Sequence, residues 1–494
     1  MNGRFRSRQG FTLARFLIVL ELALIFFFCA RPANDYDYGW HVVNGWHVAD
    51  GLTLSGRDIY SWTATNLWVA HEWATEAAMG FLHKTLGPSG NSIAAAAIGC
   101  VAYGIVAANL RARRVSMSAI VMTLPIVFVG AMRSVGVRPL MLELLFLSVL
   151  IASIDSYLSG RLGRRAALGL LVGGAIVWVN THGSFPLLPV VLGITAVELL
   201  VVRDHRWRSF LAAAVVAGVA AVANPWGIRI FEFATQSISS APTLAYIDEW
   251  KRPRLDEWLA LPILIQVALA GLGIGLMWRN RAFAAEKGGV PAIVGSLRVV
   301  AFGYLAFASG RHVMLFGIAS AAMIAAAVQP LSVWMSRVLG LSRLNSPDSS
   351  RHIVNVVVAA SLLAMIARGS WLQVSPAAQQ RAMERRYPTG LLPTLRTEVS
   401  ARDRLFNEYS WGGFLIFYDV LPVFIDGRSE LYGNDQLRRY ASIIHLDEGW
   451  ERKLDSLEIT KVLMPRSAPL TSALVRKGWS PIAGDSTGVL LGRR

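Results

Sequence analysis

Side chains capable of acid–base chemistry are concentrated in one stretch, DYDYGWHVVNGWHVADG, which begins at Asp35 shortly after the first apolar run. Asp37 and His41 are four residues apart, so they share a face if the stretch is helical. Asp35 is two residues from Asp37, so a helix directs only one of them toward His41, whereas a turn lets both converge. A carboxylate beside a reacting hydroxyl group can take its proton, so the pattern predicts a general base.

The repeated GWHV in this stretch does not predict a metal site. His41 and His47 are six residues apart and point to different faces of a helix. The two cysteines, Cys29 and Cys100, lie in apolar runs and have no CxxC or other metal-ligating spacing, so no disulfide is expected. Binding of a divalent metal ion by Asp35 and Asp37 stays open, because no other carboxylate stands at a clear ligand spacing.

The composition indicates a membrane protein. Of the 494 residues, 54% are hydrophobic and 16% are charged, whereas about a quarter are charged in soluble proteins. The mean hydropathy is +0.45. The net charge of +16 does not indicate a nucleic-acid partner, because the basic residues form short clusters between apolar runs rather than one basic face.

Eleven apolar runs of roughly bilayer length predict a polytopic α-helical membrane protein with about 11 transmembrane helices. The runs cover residues 11–31, 92–110, 116–132, 139–158, 166–181, 185–202, 209–224, 259–278, 290–309, 312–330 and 352–370. Basic clusters follow alternate runs, so the positive-inside rule predicts a cytoplasmic N-terminus and an extracytoplasmic C-terminus. The first run lacks a clear cleavage site and is interpreted as an uncleaved helix.

The chain divides into two predicted domains. Residues 1–370 form the transmembrane domain, whose first extracytoplasmic loop covers 32–90. Residues 371–494 have mixed charges and no run of membrane length, which predicts a small extracytoplasmic α/β domain. Within it we expect two short strands in FLIFYDVLPVFIDGR, a helix in NDQLRRYASIIHL, a strand in ITKVLMP, a helix in SAPLTSALVRKGW and a strand in GVLLGRR.

Polar side chains gather at the extracytoplasmic ends of the predicted helices, while the middles of the runs are nearly free of charge. Ionisable groups in or beside a membrane bundle are costly and often functional. Arg133, Arg138 and Arg311 lie on the side where the positive-inside rule does not call for arginine, and a planar guanidinium suits a phosphate ligand. The set consists of Asp35, Asp37, His41, Asp58, His71, Glu72, Arg133, Arg138, His182, Arg311 and His312.

Each of these residues also has a purely structural interpretation. Trp40, Trp46, Trp68 and Trp73 fit an aromatic belt at the membrane interface. Asp35 or Asp37 can cap a helix. Glu21, inside the first run, is interpreted as pairing with a neighbouring helix rather than as catalytic.

The first outer loop resembles that of bacterial membrane glycosyltransferases of the GT-C superfamily, in a branch that reads D-x-D-x-x-W-H-x-x-x-G, then D-x-[FY]-S, a Trp and E-W. The matching residues are Asp35, Asp37, Trp40, His41, Gly45, Asp58, Tyr60, Ser61, Trp68, Glu72 and Trp73. Further matches are RPL (138–140), NTHG (180–183), NPWG (224–227), SGRH (309–312), FNEYSWGGFLIF (406–417) and IDGRSELYG (425–433).

The resemblance implies a GT-C-like fold and transfer of a sugar from a polyprenyl-phosphate-linked donor to a lipid, glycan or protein acceptor, usually with inversion. It implies an essential acid in the first loop, here Asp37 with Asp35 as the rival. Arg311 and Arg138 would hold the phosphate. The catalytic residues predicted in this way are Asp37, Asp35, His41 and Glu72, and the substrate-binding residues are Asp58, His71, Trp40, Trp73, Arg133, Arg138, His182, Arg311, His312, Asp426 and Arg428.

Several alternatives remain open from the sequence. Asp426 and Arg428 fit an acceptor cleft or lid, but they equally fit a buried ion pair. The whole chain can also be interpreted as a transporter or lipid flippase, as an enzyme like the O-antigen ligases and polymerases, or as a non-catalytic envelope assembly protein. The resemblance places the chain in a bacterial inner membrane.

Overall fold

The computed structural model describes residues 13–64, 66–239, 251–254, 260–279, 290, 294–338 and 349–493. Helices occupy each of the eleven predicted apolar runs. The helices of the membrane part are α1 Leu13–Cys29, α2 Tyr38–Trp46, α3 Trp73–Ala112, α4 Met117–Val129, α5 Leu140–Leu158, α6 Arg164–Thr181, α7 Leu187–Val201, α8 Trp207–Ala220, α9 Ile230–Ser239, α10 Leu261–Arg279, α11 Ser296–Ala308, α12 Val313–Val338 and α13 Ser349–Val374.

Five of the helical segments are long and apolar enough to cross a membrane by length and composition: Trp73–Ala112, Leu140–Leu158, Leu261–Arg279, Gly310–Val338 and Val356–Val374. Four further apolar helices are shorter, namely Met117–Val129, Leu187–Val201, Trp207–Ala220 and Ser296–Ala308. The number of eleven membrane crossings therefore stays a prediction, although a helix stands at each predicted place.

Helix α12 forms the centre of the bundle, and glycines allow its neighbours to approach closely. A Cβ atom at Gly317 would lie 2.5 Å from the carbonyl oxygen of Val127 on α4. On α10, a Cβ atom at Gly273 would lie 2.5 Å from the carbonyl carbon of Met323. Small residues serve this purpose in membranes, where helices associate through close packing rather than through the hydrophobic effect.

The predicted first outer loop, residues 32–90, contains α2 and the bent start of α3, and these two segments lie against each other. Helix α3 is kinked at Gly87, whose φ of 65° is followed by Pro88, and proline cannot donate the helical hydrogen bond. Helix α2 of the loop packs along the segment before the kink, where a Cβ atom at Gly45 would lie 2.6 Å from the carbonyl carbon of Glu76. This close contact brings the polar side chains of α2 beside those at the start of α3.

Residues 375–493, which follow α13 and are called the tail, form helices α14 to α19 and a four-stranded sheet. The helices are α14 Pro376–Arg386, α15 Leu392–Glu398, α16 Gly412–Phe417, α17 Ser429–Ile444, α18 Trp450–Ser456 and α19 Pro469–Arg476. The strands are β1 Leu405–Asn407, β2 Lys461–Pro465, β3 Ser480–Gly484 and β4 Gly488–Gly492, in the order β1-β2-β4-β3. Strand β1 pairs with β2 in parallel, and the other two pairings are antiparallel.

The tail confirms four of the six predicted elements and contradicts the other two. Helices α17 and α19 and strands β2 and β4 lie where the sequence predicted them. The two strands expected in FLIFYDVLPVFIDGR are wrong, because residues 412–417 form helix α16 and the rest is loop with a single bridge, Ser61 to Val423. A short apolar run that is buried on all sides has no periodicity to distinguish a strand from a helix.

The tail domain is attached to the first outer loop by backbone pairing. The Val423 amide donates to the carbonyl oxygen of Tyr60 at 2.9 Å, and the Trp62 amide donates to that of Val423 at 3.2 Å. The Thr63 hydroxyl donates to the carbonyl oxygen of Phe424. The loop thus adds an extended segment to the surface of the domain.

A buried ion triad strengthens the same contact. One Nη atom of Arg428 lies 2.6 Å from Asp58 of the first loop, and the other lies 2.6 Å from Asp426. The Tyr432 hydroxyl donates to Asp426 at 2.6 Å. The side chains of Arg428 and Asp58 are 1% and 5% exposed, so each charge depends on the other for compensation.

We expect Asp58→Asn to destabilise the protein, because it leaves the Arg428 guanidinium with one fewer counterion in a buried place. Removing one partner of a buried pair costs about 3–5 kcal/mol. The matched control is Asp435→Asn, which removes an exposed partner of Arg438 and should leave the midpoint unchanged. Thermal unfolding of the purified full chain tests this, and equal midpoints for the two variants would contradict it.

Candidate functional site

Asp37 stands immediately before α2 and is held by the first turn of that helix. Its backbone oxygen accepts from the His41 amide at 3.1 Å, and the indole Nε1 of Trp40 donates to its Oδ1 at 3.0 Å. Trp40 is 4% exposed, and the His41 ring covers its face at a centroid distance of 3.7 Å. Trp40 therefore serves Asp37 as a hydrogen-bond donor, and its face is not open for stacking on a sugar.

Asp35 forms a turn with Asp37 and an ion pair with Arg138. The Asp37 amide donates to Asp35 Oδ1 at 3.2 Å. The Arg138 Nε donates to Asp35 Oδ2 at 3.1 Å, and its Nη2 is paired with the same oxygen. The hydroxyl of Tyr387, from the tail, donates to the Asp35 backbone oxygen at 3.0 Å. Both carboxylates lie within electrostatic reach of His41, which agrees with the turn geometry that the sequence left open.

The two carboxylates differ in acidity because Arg138 outweighs the effect of burial for Asp35 but not for Asp37. Burial raises the pKa of Asp35, but Arg138 outweighs it and holds that pKa below its usual range. Burial and the neighbouring Asp35 charge raise the pKa of Asp37 to about 6. Asp37 is therefore the carboxylate suited to exchange a proton near neutral pH.

His41 connects Asp37 to two glutamates at the start of α3. Its Nδ1 lies 3.2 Å from Glu76 Oε1, and its Nε2 lies 3.9 Å from Glu72 Oε2. Burial lowers the pKa of His41, but Glu76, Glu72 and Asp37 outweigh it and raise that pKa above its usual value. Glu76 was missing from the sequence prediction. Its position four residues after Glu72, on the same helical face, was the available signal.

Glu72 is surrounded by three histidines from three segments. Besides His41, the Nε2 of His182 lies 3.4 Å and the Nε2 of His71 lies 3.7 Å from Glu72 Oε1. Burial raises the pKa of Glu72, but His71, His182 and His41 together lower it well below its usual range. The carboxylate therefore stays charged and holds these rings in place.

The pKa values of His71 and His182 are shifted in opposite directions. The pKa of His71 is raised, because Glu72 outweighs the effect of burial. Burial lowers the pKa of His182 to about 4, with Arg311 adding to that effect, so His182 is neutral at pH 7. The Trp73 indole donates to Asn180 at 2.8 Å and fixes the loop that bears His182 beside α3.

Arg311 lies in the short turn Gly310–His312 before α12, close enough to His182 to act on its charge. Glu143, in the first turn of α5, is 4% exposed and also lies within electrostatic reach of Arg311. Glu143 was missing from the sequence prediction, although a carboxylate in an apolar run was the signal. We call the following residues the outer polar cluster: Asp35, Asp37, His41, His71, Glu72, Glu76, Arg138, Glu143, His182 and Arg311.

The structure places the other predicted site residues outside this cluster. Asp58, Asp426 and Arg428 form the ion triad, Arg133 is exposed, and Trp73 binds Asn180. His312 follows Arg311 in the turn and is partly buried.

A cavity of about 220 Å³ lies on the other side of Asp35. Its wall is largely aromatic and combines the first loop, the kink of α3, helix α14 and the tail. The lining residues include Asp35, Tyr38, His83, Met383, Tyr387 and Phe417. A ligand in this cavity would lie beside the carboxylate that Arg138 neutralises.

Within the described part of the chain, no three His, Cys, Asp or Glu side chains are arranged to hold a metal ion. Asp35 is already paired with Arg138, and Glu72 is paired with histidines.

Solved structures of two kinds of protein are similar to the chain. The oligosaccharyltransferase AglB from Archaeoglobus fulgidus, in complex with an inhibitory peptide and a dolichol-phosphate, aligns over 91% of this chain and 69% of its own length. The TM-score is 0.52 at 10% identity. The oligosaccharyltransferase of the same organism in complex with Zn and sulfate has a TM-score of 0.55 at 11% identity, over 94% and 71% of the two chains.

ArnT from Cupriavidus metallidurans, bound to undecaprenyl phosphate, aligns over 96% of this chain and 97% of its own length, with a TM-score of 0.51 at 16% identity. No protein-family model matches the chain, and no curated protein sequence matches it either. The likeness to solved structures extends over most of the chain. The chain therefore has the same overall fold as AglB and ArnT.

Proposed function

We propose that the chain is an integral-membrane glycosyltransferase. It moves a sugar from a polyprenyl-phosphate-linked donor to an acceptor hydroxyl on the extracytoplasmic face, and Asp37 is the base. The observation that carries this proposal is a GT-C fold whose first-loop carboxylate, Asp37, has a pKa raised to about 6 by burial and by Asp35.

In the proposed reaction, the acceptor oxygen attacks the anomeric carbon as the bond from that carbon to the lipid phosphate breaks. The hydroxyl proton passes to the Asp37 carboxylate. A nearby carboxylate also stabilises the positive charge that develops on the sugar ring. The paired Asp35 contributes a fixed negative charge that favours the uptake of the proton by its neighbour.

The leaving lipid phosphate gains negative charge and needs a cation. We assign the phosphate to Arg311, which lies within electrostatic reach of His182; Arg138 is the ion-pair partner of Asp35. His182 is neutral, so it adds no second positive charge beside Arg311. Preorganised donors aimed at developing charge are among the largest contributions to catalysis.

The proposed arrangement puts the outer polar cluster on the extracytoplasmic side of a bacterial inner membrane, with the N-terminus in the cytoplasm. The pattern of basic clusters between the apolar runs supports this orientation. The acceptor, which is a lipid, a glycan or a protein, then approaches from outside the membrane.

We expect Asp37→Asn to abolish product formation, because an amide cannot take a proton from the acceptor. Cells that carry the variant should lack the same glycan or glycolipid as cells that carry a deletion, at an equal protein level in the membrane. Asp50→Asn is the matched control, since Asp50 belongs to the same loop but is exposed and pairs only with His47 among the ion pairs found. Wild-type glycans in the Asp37→Asn cells would contradict the proposal and favour a transporter or an assembly protein.

We also expect Asp37→Asn to raise the thermal unfolding midpoint at neutral pH. The pKa of Asp37 is about 6 in the folded protein and about 3.9 in an unfolded chain. The folded protein therefore disfavours the charged form of Asp37. The contribution of Asp37 to the free energy of unfolding of the wild type is lost as the pH rises through about 6. The gain of the variant over wild type should be absent below about pH 4 and full above about pH 6. A gain that does not change with pH would contradict this assignment.

Arg311→Gln should weaken the binding of undecaprenyl phosphate to the purified full chain by about 10–100-fold, which corresponds to the loss of a charged hydrogen bond. Arg311→Lys should retain part of the affinity, since lysine keeps the charge but not the planar fork. Arg57→Gln is the control, because Arg57 is an exposed arginine of the first loop. Native mass spectrometry gives the affinities, and equal values for the two glutamine variants would contradict the assignment.

A further inference from the structure

Gly427 of the tail touches the Asp37 carboxylate directly. A Cβ atom at Gly427 would overlap Oδ1 of Asp37 and lie 2.6 Å from its Cγ. The backbone of Gly427 does not have a positive φ, so alanine can adopt its conformation. The absence of a side chain at this position is therefore required by Asp37 rather than by the backbone.

The segment around Gly427 is held rigidly from both sides. The residue before it, Asp426, and the residue after it, Arg428, form the ion triad with Asp58 of the first loop. The Tyr409 hydroxyl donates to the Gly427 carbonyl oxygen at 3.4 Å. A segment with so many fixed neighbours cannot move aside at low cost to make room for an added methyl group.

Two further glycines bring the same parts of the chain together. A Cβ atom at Gly39 of α2 would lie 2.7 Å from the carbonyl carbon of Gly413 on α16. A Cβ atom at Gly413 would lie 3.2 Å from Trp40, the residue that donates to Asp37. The backbone of the tail thus contacts residues 36–40 at more than one point.

We propose that Gly427 is the positioning residue for Asp37, and that residues 426–428 of the C-terminal domain form the wall against which the catalytic carboxylate rests. This inference rests on the proposed function and deepens it. The tail is then a part of the active site, and its contact fixes the direction in which the carboxylate faces the acceptor. The other charged groups around Asp37 are Asp35, His41 and Arg138.

The contact also explains where water is excluded from Asp37. Trp40 covers one side of the carboxylate and Gly427 covers another. Burial is the largest cause of the raised pKa of Asp37. We expect an alanine at position 427 to displace the carboxylate from this contact and reduce its burial, so that its pKa falls toward the ordinary value.

A double-mutant cycle tests the contact without any substrate. Thermal unfolding midpoints are measured for the wild-type full chain, Gly427→Ala, Asp37→Ala and the double variant, with Gly136→Ala as the control at a glycine that has open space around it. We expect Gly427→Ala to lower the midpoint in the presence of Asp37 and to have little effect when Asp37 is alanine. Equal losses in both backgrounds overturn the proposal. If Gly427→Ala does not accumulate, the double variant should, and failure of both also overturns it.

A second measurement determines the pKa of the Asp37 carboxylate directly. Infrared titration of the full chain gives the pH at which Asp37 gains its proton, identified as the band that is absent from Asp37→Asn. We expect this pH to fall in Gly427→Ala and to stay unchanged in Gly136→Ala, and an unchanged value in Gly427→Ala overturns the proposal.

The glycan profile of cells then separates the two proposals. If Gly427→Ala shifts the band and removes the product, positioning by the tail is supported. If wild-type cells form no such product while the cycle shows the coupling, the proposed function fails and the contact stands. If Gly427→Ala cells keep the product at the wild-type rate, the positioning role is overturned.

Discussion

Two carboxylates share one turn of the chain with a single guanidinium, and the chemistry of the site depends on this imbalance. Arg138 satisfies Asp35 and keeps it charged. Burial and the negative charge of Asp35 raise the pKa of Asp37. Two acids with nearly the same sequence environment therefore acquire different acidities, which is how proteins commonly divide the roles of a fixed charge and a proton acceptor.

The surroundings of the turn preserve that imbalance by joining distant parts of the chain. Histidines from the first loop and from the loop after α6 meet at Glu72, and the charge of this glutamate is stabilised by them. The tail contributes Tyr387 to the backbone of Asp35 and Gly427 to the side chain of Asp37. The membrane helices supply the scaffold, while the electrostatics are set by loops that pack on one another above it.

The sequence was sufficient to predict the features that depend on local pattern. Apolar runs of bilayer length located the helices, and charge at their ends located Asp35, Asp37 and Glu72. Contacts between residues that are far apart in the chain could not be predicted from the sequence. Nothing near Asp58 indicates an arginine 370 residues away, and Glu76 and Glu143 gain meaning only from the residues they face. Residues 414–417 were assigned wrongly to a strand because a short buried run lacks periodicity.

The sequence separation of 370 residues between Asp58 and Arg428 has a consequence for the synthesis of the protein. Translation at about 5–20 residues per second means that the ribosome needs roughly 20–70 s to reach the arginine after the aspartate has been made. During that interval the first loop lacks its only tail counterion among the described ion pairs, and its aromatic side chains have no domain to cover them. A nascent chain therefore lacks the tail contacts of Asp35 and Asp37 until its last quarter has been made and folded, so interrupted synthesis leaves this pair of carboxylates without Tyr387 and Gly427.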